Sequence, residues 1–141
     1  MASLFTIDAS VFVAACRPQE PGYASSRAFL TMVRDHAFPL IEPAILPIEV
    51  ASALVRTGST RALAGEYASA MEALPMLTLV TLDGWFARQA VALTVSTRLR
   101  AADAIYATVA AHFGARLVTL DAEQLSRAPK GVAACRPADA V

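Results

Sequence analysis

The sequence predicts an α/β fold, a three-layer α/β/α sandwich around a central, mainly parallel sheet. Three observations carry that expectation. Short β-rich runs alternate with helix-compatible segments along the whole chain, a pattern that calls for parallel pairing through right-handed crossovers with helices on both faces. Hydrophobic residues make up 56% of the composition and mean hydropathy is +0.49, ample material for a packed core. The 141 residues suit one domain, expected to span 1–141, because no linker, repeat array or low-complexity tract divides them.

The elements follow in order. Ser3 to Ile7 is a β-rich run that reaches Asp8, and Ala9 to Ala15 turns into helix-compatible sequence. Pro21-Gly22 breaks the chain before a helix over roughly Ala24 to Asp35, with Phe29, Met32 and Val33 at helical spacing. Phe38 to Glu42 is a second strand. The next helix, Ile48 to Val55, stops at Gly58 and carries Glu49, Ser52, Ala53 and Arg56 on one face. Ser59-Thr60 caps a helix that runs to about Leu74, where Pro75 ends it. Met76 to Leu82 is a third strand, Asp83-Gly84 a turn or cap, and Trp85 to Ser96 a helix. Arg100 to Phe113 is a helix closed by Gly114, Arg116 to Leu120 a fourth strand, and Val132 to Cys135 a short edge strand.

Composition excludes several classes. Charges interrupt every apolar stretch well short of the roughly 18 to 20 residues that span a bilayer, so no membrane association is expected. Asp8 interrupts any signal-peptide core, which makes the cytoplasm the expected location. Cys16 and Cys135 suit reduced thiols, and with only His36 and His112 there is no zinc spacing. Net charge is zero and pI about 6.7, so avid sequence-independent binding to nucleic acid through a large basic surface is not indicated.

Four acids stand out: Thr6-Ile7-Asp8-Ala9-Ser10, Pro47-Ile48-Glu49-Val50, Ala101-Ala102-Asp103-Ala104 and Val118-Thr119-Leu120-Asp121. Each carboxylate sits among apolar or small residues, where an unpartnered charge is costly. Convergence on a divalent cation is the economical explanation. Asp8 and Asp121 both end strands, where open parallel sheets place their ligands. Hard carboxylate oxygens suit Mg2+, with Mn2+ as the alternative ion, and such an ion can acidify a water and neutralise charge on a phosphodiester under attack. The competing assignments are structural: Asp8 and Asp121 as helix caps, Asp103 as a first-turn acid, Glu49 as a solvated helix-face residue. Tyr106 and Trp85 read as packing residues rather than base-stacking platforms.

In order, spacing and flanking residues, including Arg100-Ala101-Ala102-Asp103-Ala104-Ile105-Tyr106-Ala107, these segments together resemble a PIN-domain nuclease, most closely the VapC-type toxins of type II toxin–antitoxin pairs. The resemblance implies a PIN-like strand order of 3-2-1-4-5 and a metal-dependent endoribonuclease held inactive by a cognate antitoxin. It implies Asp8, Glu49, Asp103 and Asp121 as the catalytic and metal-binding quartet, Ser10 and Thr119 as supporting hydroxyls, and a homodimer. Arg56, Arg98 and Arg100 are candidates for RNA phosphates, with surface or ion-pairing roles as the competing assignment. The antitoxin is expected to lay an amphipathic helix in a groove involving the Ala24 to Asp35 and Ile48 to Arg56 helices.

Leu79-Val80-Thr81-Leu82-Asp83 repeats the residues of Leu117-Val118-Thr119-Leu120-Asp121. The implied strand order puts only Asp121 beside Asp8 and leaves Asp83 to cap the Trp85 helix. Two other functions compete. A haloacid-dehalogenase-like phosphatase would use Asp8 as nucleophile, but Ser10 stands where a second Asp is wanted and the only lysine, Lys130, is poorly placed. A non-catalytic PIN-fold interaction module is the other, and the intact quartet argues against it.

Overall fold

The computed structural model describes residues 3–141, so residues 1 and 2 of the expected domain lie outside the description. Its elements are β1 Phe5–Ile7, α1 Ala9–Ala15, α2 Tyr23–Asp35, β2 Leu40–Pro43, α3 Leu46–Arg56, α4 Arg61–Glu72, β3 Leu77–Val80, α5 Gly84–Thr97, α6 Ala101–Phe113, β4 Arg116–Val118, α7 Ala122–Arg127, β5 Ala134–Cys135 and α8 Pro137–Ala140. The strands form one five-stranded sheet in the order β3-β2-β1-β4-β5, with every neighbouring pair parallel. Both the α/β/α architecture and the strand order expected from the sequence are present.

β1 is buried at every position, as befits a central strand covered on both faces. Phe5 meets Phe29 of α2 edge to face with ring centroids 5.2 Å apart. α6 packs against β1, β2 and β4 and contributes the fully buried Tyr106 to the core. The parallel register Phe5↔Arg116, Thr6↔Leu117, Ile7↔Val118 seats β4 directly beside β1.

Several boundaries move, each for a local reason. The second strand begins at Leu40, not Phe38, because Phe38 is taken up by the end of α2: its N–H donates to Val33 O while Ala37, at φ 50°, donates to Arg34 O. That is a left-handed Schellman ending. α3 starts at Leu46, two residues before the expected Ile48, with Pro47 in its first turn where a missing N–H does no harm. The first, third, fourth and fifth strands are shorter than expected, and α8, which opens on Pro137, has no counterpart in the sequence reading.

Asp83 caps α5, its carboxylate accepting from Phe86 N at 2.9 Å. It belongs to the segment after β3, two strands from β1. Asp83→Ala should therefore lower stability by about 1 kcal/mol, whereas Asp83→Asn, which keeps a capping oxygen, should stay within a few tenths of wild type. Urea denaturation of both variants checks this.

Candidate active site

Each of the four acids stands at the N-terminal end of a helix. Asp8 is the N-cap of α1, Asp121 the N-cap of α7, and Glu49 and Asp103 lie in the first turns of α3 and α6. Helix N-termini carry partial positive charge, which favours acids there. All four side chains line one cleft of about 920 Å³ at the carboxyl edge of the sheet, together with Ser10, Gly22, Ser52, Arg56, Arg100 and Arg136.

The hydroxyls brace the acids. Ser10 N donates to Asp8 Oδ2 at 2.9 Å, and Ser10 Oγ accepts from Leu120 N at 3.2 Å, tying α1 to the end of β4. Thr119 Oγ1 accepts from Asp121 N at 3.1 Å, and Asp121 Oδ1 in turn accepts from Gln124 N. Asp121 Oδ2 accepts from an Arg100 terminal nitrogen at 2.9 Å, while Arg100 Nε reaches Asp103 Oδ2 at 3.4 Å. Gly22 approaches so closely that an added Cβ would sit 2.7 Å from Leu120 Cδ1.

Burial pushes the Asp8 carboxyl above its ordinary range, and Glu49 and Asp121 add to the rise against the lowering hydrogen bonds from Ser10. Asp103 is raised by burial first and then by Asp8 and Asp121, against the opposing pull of Arg100. Hard oxygens under mutual repulsion fit a small divalent cation in both donor type and charge. The acids share a cleft without closing into a finished cage. Among the described residues, no three His, Cys, Asp or Glu side chains are gathered closely enough to hold an ion.

A PIN domain family model matches residues 5–131. The chain belongs to the PIN domain family. Several solved structures share the fold. The toxin VapC20 of Mycobacterium tuberculosis, described as cleaving the sarcin-ricin loop, is 15% identical, with 93% of this chain and 99% of that one covered at a TM-score of 0.75. The VapBC2 complex of Rickettsia felis, bound to a promoter DNA fragment, is 13% identical, with 94% and 98% covered and a TM-score of 0.69. PAE2754 of Pyrobaculum aerophilum is 25% identical, with 95% and 85% covered and a TM-score of 0.66. Comparison with curated proteins gave no significant match.

Within this PIN domain the remaining sequence candidates separate. Arg56 and Arg100 line the cleft, and the shared face of Glu49, Ser52, Ala53 and Arg56 turns toward it as spaced. Arg98 does not line it: it closes α5 in a left-handed conformation, φ 64°, and its carbonyl accepts from Arg127. Lys130 is likewise absent from the cleft walls. α1 packs against both α2 and α3, the two helices expected to form the antitoxin groove, and both contribute to the wall of the acidic cleft, α2 through Ser25 and α3 through Ile48, Ser52 and Ala53. A second, apolar groove runs between α1, α2 and α4, about 680 Å³ lined by residues that include Phe12, Leu30, Tyr67 and Met71.

Two residues near the acids went unread in the sequence. Arg136 follows the edge strand, lines the cleft and donates to Leu120 O at 3.3 Å; nothing in its flanks signals that position. Glu42 is fully buried in β2, and its Oε1 accepts from Ile7 N while Oε2 has no partner. An acid at the carboxyl end of a central strand was its available signal. Burial drives the Glu42 carboxyl well above its ordinary range, and Asp8 adds to the rise. A folded-state pKa above the unfolded one means stability that is complete below the ordinary carboxyl range and declines as pH climbs toward the raised value. Glu42→Gln keeps an acceptor for Ile7 N and removes the proton. It should leave the melting temperature nearly unchanged near pH 4 and raise it increasingly between about pH 5 and 8, as calorimetric scans across that range would register.

Proposed function

We propose that this PIN domain, taken as one domain over residues 1–141, is a divalent-metal-dependent endoribonuclease and the toxin of a toxin–antitoxin pair, acting in the cytoplasm. The observation that carries the reading is the convergence of Asp8, Glu49, Asp103 and Asp121 on one cleft, each at a helix N-terminus. Those four residues would hold Mg2+, or Mn2+ in its place. Such an ion, when bound, would supply a water of lowered pKa and positive charge beside the phosphodiester under attack.

The chain's own residues do the rest. The acids have hard oxygens and no competing soft ligands beside them in the cleft wall. Asp8 and Asp121 are held in fixed rotamers by the Ser10 and Gln124 backbone N–H groups, so their outer oxygens are pre-aimed. Arg56, Arg100 and Arg136 rim the acids and bind phosphate oxygens on either side of the scissile bond. No side chain need act as nucleophile. The phosphatase reading loses ground here, since the Ser10 hydroxyl is engaged by Leu120 N where a second acid would be needed.

The partner reading follows the surfaces. An antitoxin helix fits the apolar groove between α1, α2 and α4. Val91 and Val95, 63% and 79% exposed on α5, suit a second copy of the chain in a homodimer. The test is cleavage of a mixed RNA pool. Activity should appear with Mg2+ or Mn2+ and vanish with EDTA. Asp121→Asn should lower the rate by at least about tenfold, or roughly 1.4 kcal/mol of transition-state stabilisation. Asp83→Asn, its counterpart in the repeated segment, should cleave near the wild-type rate. Equal losses in two folded variants would remove the cleft from the reaction.

A further inference from the structure

Arg100 is the N-cap of α6, yet its side chain makes no capping bond. It turns into the cleft, where its terminal nitrogen lies 2.9 Å from Asp121 Oδ2 and its Nε 3.4 Å from Asp103 Oδ2, with Glu123 Oε2 a further 3.9 Å contact. Among the described residues, no other cation forms an ion pair with Asp8, Glu49, Asp103 or Asp121. One guanidinium thus bridges two of the four acids, one in the first turn of α6 and the other at the N-cap of α7, through an Oδ2 atom of each.

We propose that Arg100 is an internal competitor of the divalent cation: it neutralises Asp103 and Asp121 while the ion is absent and must leave their oxygens for the ion to bind. The inference rests on the metal-nuclease reading and goes beyond it by giving the chain its own occupant for the ion's place. Two cations cannot share the same carboxylate oxygens at contact distance without strong repulsion. The guanidinium side is built to yield, because its side chain is 68% exposed and solvated ion pairs of this kind are weak. A divalent ion brings twice the charge and a preference for several oxygens at once. Once displaced, the guanidinium remains tethered at the start of α6 beside the acids, where a phosphate oxygen is its natural next partner. Arg100 is therefore a positioning residue whose two sets of partners alternate with ion occupancy.

The experiment is calorimetric titration of the full chain with Mn2+ alone, comparing wild type, Arg100→Gln and Arg100→Lys, with melting temperatures taken without and with saturating Mn2+. Arg100→Gln should bind Mn2+ about tenfold more tightly than wild type. It should also melt lower than wild type without the ion, with the gap closing when Mn2+ saturates the site. Arg100→Lys keeps the charge and should stay near wild-type affinity, which guards against a general effect of substitution at this position. A merely structural loss would weaken binding, so the direction of the change is diagnostic. Unchanged or weaker Mn2+ binding by Arg100→Gln, with wild type binding the ion, overturns the competition and leaves the nuclease reading standing. If neither wild type nor either variant binds Mn2+, the metal reading falls and the competition falls with it.

Discussion

The pairing of β1 with β4 is the constraint on which the rest depends. Asp8 N donates to Val118 O at 2.9 Å, closing a ladder between strands separated by more than a hundred residues of sequence. Parallel strands end at the same edge, and each crossover helix restarts from an edge. With β1 and β4 side by side, the N-termini of α1 and α7 must be neighbours. α3 and α6 bring Glu49 and Asp103 to the same place through their own first turns. The site is a consequence of topology before it is a consequence of side-chain choice.

That placement sets up an electrostatic balance. Four acids in one cleft repel each other, and burial raises the carboxyls of Asp8 and Asp103 further. Partial positive charge at four helix N-termini and the Arg100 guanidinium offset part of this. The arginines lie around the acids while the chain as a whole has no net charge. The cleft wall holds five acids against three arginines, so without a bound cation its field is net negative and reaches about one Debye length, about 10 Å at ordinary salt.

The acids were legible in sequence because the punctuation around them is local. A β-rich run, an acid and then helix-compatible sequence mark Asp8 and Asp121 without knowledge of the sheet, and the twin segment ending in Asp83 shows where local reading stops. The two segments have the same residues, so only strand order separates a cleft acid from a plain cap, and that order came from the family resemblance. Ser10 and Thr119 were read as helpers of the acids and stand in the structure as backbone braces. Arg136 and the apolar groove between α1, α2 and α4 were not legible, because each depends on which elements become neighbours, and Glu42 offered only its place near the end of a strand. Phe38 shows the same limit at small scale: its β-forming side chain predicts strand, but its N–H is claimed by the end of the preceding helix.

The β1–β4 ladder also has a meaning in time. Chains emerge from the ribosome N-terminus first, and contacts between distant segments form late and slowly. Three of the acids are already made by residue 103, but the strand that seats Asp121 ends at Val118. During translation the growing polypeptide therefore carries an unfinished sheet with an open β1 edge. The cleft cannot close until β4 and Asp121 have been made, well after the other three acids are already in the chain.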